Sequence, residues 1–241
     1  MDLGPQSKSD NKFTQKCRML QSEYRNEVLK KPFGFGPSKK SKAKYGNMLV
    51  DGDKSGSNFI SDTAFEFAKQ KSHDKQINKY LTIDEYRLFN NMLSSMPMCF
   101  NLFSDLRKLL LKNQTELSRI IKLMFKEINW IEKVTFMDVE FIPIPISEYT
   151  NDRTAFDAMI LVENGQGKKG LISIETKYTD LLGTNIASDS VKKNSILDEG
   201  RFFDQVLINE LQTNGYKQIH RNFILTYIYA KKIRYPILQM L

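Results

Sequence analysis

Residues 170–180 read GLISIETKYTD: a nearly unbroken apolar run, then Glu175, one residue, Lys177 and a tyrosine. A strand that is apolar on both faces belongs in the middle of a sheet, covered on each side by helices. A charge at the end of such a strand is costly unless it is paired or binds a metal. Side chains two apart on a strand share a face at about 6.5–7 Å, so Glu175 and Lys177 are expected to project together. The preceding run, TAFDAMILVE (154–163), has the same texture. Between them lies NGQGKK, whose Asn-Gly and second Gly are hairpin chemistry.

With the turn centred on Gln166, Asp157 falls opposite Glu175, and a one-residue slip would send one of them to the other face. Two carboxylates directly opposed, with β-carbons about 4.5–5.5 Å apart, repel. A hard divalent cation removes that repulsion, and Mg²⁺ (or Mn²⁺) prefers such a pair together with waters and phosphate oxygens. An ammonium beside the attacking water, that of Lys177, can orient it, help take its proton, or offset charge growing on a phosphate. This suits in-line hydrolysis of a phosphodiester. The Asp/Glu-x-Lys spacing alone carries little, because it also occurs at Asp10 to Lys12 in a polar stretch. Its placement at the end of an apolar hairpin strand carries the argument.

The flanking patterns supply the rest of an α/β core. TELSRIIKLMFKEI (115–128) is amphipathic, with Leu117, Ile120, Ile121, Met124, Phe125 and Ile128 at helical spacing. KVTFMDVEFIPI (133–144) alternates as a strand does. EGRFFDQVLINELQTNG (199–215) reads as a helix stopped by Gly215, and NFILTYIYA (222–230) as a last strand. The predicted order is α-β-β-β-α-β. Further helices are predicted upstream, from Ser61, from Thr82 to Pro97, and over 101–111, with Met96, Met98, Phe100 and Phe103 as packing residues. Residues 32–57, rich in Gly, Ser, Pro and Lys, read as linker or mobile loop. The expected organisation is a basic, partly flexible N-terminal arm over 1–57 and one domain over 58–241.

Composition narrows the function classes. The net charge of +8 is concentrated in residues 1–56, where 12 lysines and arginines face 6 acids. A basic arm of this kind suits a polyanion, since each neutralised phosphate releases counterions. Cys17 and Cys99, far apart and without Cys/His spacing, are expected to be reduced structural thiols rather than zinc ligands. His73 and His220 are lone histidines, and nothing Gly-rich matches a P-loop or dinucleotide fingerprint. The polar start and the lack of any run of about 18 apolar residues point to a cytoplasmic protein with no membrane segment.

Four stretches, NFISDTAFEFAKQK, NNMLSSMPMCFNLFSDL (90–106), NDRTAFDAMI (151–160) and GLISIETKYTD, resemble the PD-(D/E)xK nuclease superfamily, and within it a bacterial family of uncharacterised nuclease-like proteins. The resemblance implies a restriction-endonuclease-like core, a mixed sheet flanked by helices, with an N-terminal helical extension. It implies metal ligands at Asp157, Glu175 and the backbone carbonyl of Thr176, with Lys177 as the catalytic lysine. Gln205 resembles a glutamine that some members place in the site. Members often add an acid from the first core helix, for which Glu116 and Glu127 both remain candidates. Phe156 stands where many have proline. The implied activity is Mg²⁺-dependent cleavage of DNA, with RNA less expected, in a bacterial defence or restriction setting. A catalytically silent fold that binds nucleic acid or protein is the alternative. The short RYPILQML tail leaves little room for a target-recognition domain, so a homo-oligomer or a partner subunit stays open.

Overall fold

The computed structural model describes residues 2–180, 217–234 and 237–240. These divide into two compact units, one of residues 2–105 with 176–180, the other of 106–175 with 217–234 and 237–240.

In the first unit, Asn11 caps helix α1 (Lys12–Glu23), which continues as a turn of wider helix over Tyr24–Val28. The stretch that reads as loop carries an antiparallel pair instead, β1 (Phe33–Phe35) and β2 (Lys44–Leu49), followed by the short helix α2 (Gly52–Ser55). Its glycines serve close approach rather than looseness. A Cβ on Gly46 would stand 2.0 Å from the Leu3 carbonyl oxygen, so only glycine fits there. Beneath the pair lies Arg25, which donates to the backbone carbonyls of Gly46 (2.7 Å), Asp2 (2.8 Å) and Lys31.

Ser61 caps α3 (Asp62–Ile77), as the sequence predicts, its hydroxyl accepting from the Ala64 amide. Asp84 caps α4 (Glu85–Asn90), two residues after the predicted opening at Thr82. Pro97 does not end a helix; it sits in the first turn of α5 (Ser95–Lys112), where a missing N–H costs nothing. Phe100 is fully buried and packs its ring on Phe67 at 5.6 Å, while Cys17 and Cys99 are both buried and form no disulfide.

The second unit contains the α/β core. Helix α6 (Gln114–Met124) buries Leu117 and Ile121 and leaves Met124 exposed. It is fastened to β3 (Lys133–Phe141) at one point: Gln114 Nε2 donates to the Val134 carbonyl (2.7 Å), and the Val134 amide donates to Ser118 Oγ (3.0 Å). Strands β4 (Phe156–Glu163) and β5 (Lys169–Ile174) follow, then helix α7 (Lys217–Ile233) and β6 (Ile237–Met240). The sheet order is β3-β4-β5-β6, antiparallel except for the parallel β5–β6 pair. The order α-β-β-β-α-β and the mixed sheet are therefore present among the described residues.

One assignment is corrected. Residues 222–230 are not a strand but lie inside α7, and the closing strand is Ile237–Met240. The reason is burial on several faces: Asn222, Ile224, Leu225, Thr226 and Ala230 are all buried, so the apolar positions lose their helical period. β-branched and aromatic residues then give the run a strand-like composition that tertiary packing overrides. The helix predicted over 199–215 lies outside the described residues. No helix among the described residues is long and apolar enough to cross a membrane.

Candidate active site

The hairpin register is the one the turn chemistry predicts. Ala158 pairs with Ile174, Met159 with Ser173, and so on without a shift to Glu163 with Lys169. The register continued one step beyond the Ala158–Ile174 pair brings Asp157, near the start of β4, level with Glu175, the first residue after β5. Both are half-buried. The turn itself is fixed by Asn164, whose side chain accepts from the Gln166 and Lys168 amides at 3.0 and 2.8 Å.

Helix α7 holds the acid end of β5. Asn222, buried, donates its amide to Glu175 Oε2, and one turn on, Thr226 Oγ1 meets Ser173 Oγ at 2.9 Å. Glu175 Oε1 is shut off from solvent. The residue before Asn222 secures the other acid-bearing strand. Arg221 donates to Asp152 (3.1 Å) and Thr154 (2.9 Å), and Asp152 also accepts from the Thr154 amide (2.9 Å) and the Thr150 hydroxyl (2.8 Å). Consecutive residues of one helix thus fix Glu175 directly and Asp157 through the turn that leads into β4. Neither Arg221 nor Asn222 stands out in the sequence: Asn222 is the one amide at the head of the apolar run 222–230 that reads as strand, and Arg221 is one more charge in the polar stretch before it.

A third acid enters through β3. The β3–β4 register, Val139 with Ala158 and Phe141 with Phe156, puts Glu140 opposite Asp157. Glu140 is buried and has a left-handed backbone (φ 50°), a conformation that a glutamate rarely adopts outside an over-determined setting. Its even spacing from Asp138 and Phe136 gave it no mark in the sequence. Among the described residues, no three His, Cys, Asp or Glu side chains group closely enough to hold a metal ion between them. Asp157 and Glu175 at the strand ends offer carboxylate oxygens. These are hard oxygen donors, the kind Mg²⁺ or Mn²⁺ takes alongside waters.

The first core helix does not bring an acid to this end. Glu116 is held by Arg119 through two hydrogen bonds of 2.8 and 2.7 Å. That ion pair pulls its pKa down, the hydrogen bond being the larger cause. Its helical turn is fastened to Val134, which pairs with Val162, five strand residues and about 17 Å from Asp157. Glu127 is exposed beyond the end of α6. Gln205 and Lys192–Lys193 lie outside the described residues, and Arg153 is exposed on the turn before β4.

Thr176 and Lys177 belong to the first unit, Thr176 buried and Lys177 half-buried. The three residues after Lys177 are each tied down within that unit. Tyr178 accepts from Gln21 Nε2 (3.2 Å), and Thr179 donates to the Leu93 carbonyl (3.0 Å). Asp180 accepts from Arg87 (2.7 Å) and from the Ser95 amide (2.9 Å) at the start of α5. Burial pushes the Tyr178 phenol above its ordinary range, the Gln21 hydrogen bond opposing it, so the ring is neutral at physiological pH.

A family model described as the PD-(D/E)XK nuclease superfamily matches residues 8–236, nearly the whole chain. No curated protein and no solved structure matches the chain. The matched span takes in the N-terminal helices and the core from α6 through α7, and the Glu175-x-Lys177 signature lies where β5 ends; the chain belongs to the PD-(D/E)XK nuclease superfamily.

Proposed function

We propose that this chain is a divalent-metal-dependent nuclease that hydrolyses phosphodiester bonds in DNA, in a setting of bacterial defence or restriction. Superfamily members are usually nucleases, act on nucleic acid and typically use divalent metals. The observation that supports the reading is the unshifted β4–β5 register up to the Ala158–Ile174 pair; continued by one residue it brings Asp157 level with Glu175, with Lys177 two residues further along the chain. In this reading Asp157, Glu175 and the Thr176 carbonyl hold Mg²⁺ or Mn²⁺. The bound cation supplies Lewis-acid polarisation of the scissile phosphate. Lys177 orients the attacking water and offsets negative charge growing on the phosphate as the new P–O bond forms and the old one breaks. The cationic first 56 residues draw in the phosphate backbone without sequence preference. Gln205, also on the predicted helix after the hairpin, is assigned a supporting place in the site.

The test is cleavage of supercoiled plasmid and of single-stranded oligonucleotides with Mg²⁺, with Mn²⁺ and with chelator. Cutting that requires the cation is expected. Binding without cutting under every metal condition would replace this reading with a catalytically silent nucleic-acid-binding fold.

Asn222 gives a second, quantitative check. Its amide fixes one oxygen of Glu175, and partners of this kind typically set metal affinity by about 10–100-fold. Asn222→Leu is expected to weaken Mn²⁺ binding by a factor in that range, read by calorimetry, with the helical content unchanged.

A further inference from the structure

The first unit contains a cleft of about 630 Å³ whose walls are Tyr24, Phe59, Met92, Met98, Leu102 and Tyr178, with the side-chain amides of Gln21, Asn58 and Asn101 among them. That is within the size range of small-ligand sites. Among the described residues no charged side chain lines it, so the part of a ligand that enters is neutral; a phosphate or carboxylate would be desolvated there without a counter-charge. Three aromatic faces and two thioethers favour a flat, polarisable ring. The amides argue against a purely aliphatic guest, because a hydrocarbon would strip water from them and return nothing.

The walls are built before any ligand arrives. Asn101 Nδ2 donates to the Asn58 carbonyl while its Oδ1 accepts from the Ile60 amide, both at 3.0 Å. Asn58 Nδ2 donates to the Leu88 carbonyl at 2.9 Å, and Gln21 holds the Tyr178 hydroxyl. Tyr178 is also the residue after Lys177. A group lying against the Tyr178 ring is therefore next along the chain from the proposed catalytic lysine.

Resting on the nuclease reading above, we infer that this cleft receives an unstacked nucleobase of the substrate strand, close to the phosphate that is cut. The base stacks on the tyrosine faces, and its polar edge meets the amides. The sugar and phosphates stay outside, where cations can meet them. The guest must leave its neighbours, so single-stranded or distorted nucleic acid fills the cleft more readily than intact duplex.

Binding without chemistry tests this. Wild-type protein in chelator is titrated with a fluorescent-end-labelled single strand and with the same strand made wholly abasic, and separately with a strand carrying 2-aminopurine. Stacking on aromatic side chains is expected to favour the base-bearing strand by about tenfold or more and to quench 2-aminopurine emission. Tyr24→Ala removes a stacking face, and Leu102→Trp fills the cleft; both positions are about half exposed, so the fold tolerates them. In each variant the preference is expected to fall towards one and the quench to disappear. Should Tyr24→Ala fail to fold, Leu102→Trp decides. Equal wild-type affinity for the two strands, or a preference retained in Leu102→Trp, would overturn the inference. The two claims separate cleanly: a protein that cuts but ignores bases keeps the nuclease reading and loses the cleft, whereas base preference without cutting keeps the cleft as a binding site and loses the nuclease.

Discussion

Lys177→Ala and Glu175→Ala are each expected to lower the rate of phosphodiester cleavage by at least about a thousandfold while leaving the protein folded. A positioned acid–base group contributes about 10²–10⁴ in rate, and loss of a charge-stabilising group costs a comparable factor. Glu175 carries the additional loss of a metal ligand, so its variant should also bind Mn²⁺ more weakly. The Lys177 variant should keep metal affinity and lose turnover. The fold should survive both changes because the core of β5, Leu171 to Ile174, lies before the motif and is buried independently of it. Initial rates on plasmid, circular dichroism and Mn²⁺ titration together check the pattern. Cleavage retained by both variants would remove these residues from the chemistry.

The second large effect concerns stability and lies far from the acids in sequence. Arg25 is 2% exposed, and its guanidinium joins three separate backbone segments by donating to the carbonyls of Asp2, Lys31 and Gly46. It also lies over the Phe33 ring at 5.6 Å. Burial pulls its pKa below the ordinary arginine value, with Asp2 pulling the other way, yet a guanidinium stays charged in any protein setting. Arg25→Met keeps most of the apolar stem and removes every donor. Three carbonyls then lose their partner, and breaking a buried charged network costs about 3–5 kcal/mol. The urea midpoint of Arg25→Met should fall accordingly. Arg25→Lys should recover only part of the loss, since one ammonium cannot serve three carbonyls in a fixed fork. A variant as stable as the wild type would show that the staple is dispensable.

The hairpin was legible because three signals agreed: turn residues at Asn164–Gly165, apolar runs on both sides, and charge only at the strand end. Agreement of local and long-range preference is what makes a segment readable. Where they disagree, reading fails. Residues 222–230 carry strand-forming side chains in a helix that is buried on several faces. Residues 32–57 carry loop-forming glycines that allow β2 to approach the Leu3 backbone. The candidate residues were legible as a pattern, Asp157 and Glu175 at strand ends with Lys177 beyond. Its support was not. Asn222 meets Glu175 from 47 residues away, and Glu140 reaches the level of Asp157 only through the β3–β4 register. Such contacts depend on the packed helix and on strand pairing, neither of which has a local sequence mark.

The most direct measurement is the anomalous scattering of crystals soaked in Mn²⁺. The account predicts one strong peak within about 2.0–2.3 Å of a carboxylate oxygen from both Asp157 and Glu175, absent from Glu175→Ala crystals treated alike. A peak that touches only one of the two acids, or none at the end of β5 at saturating metal, would contradict it.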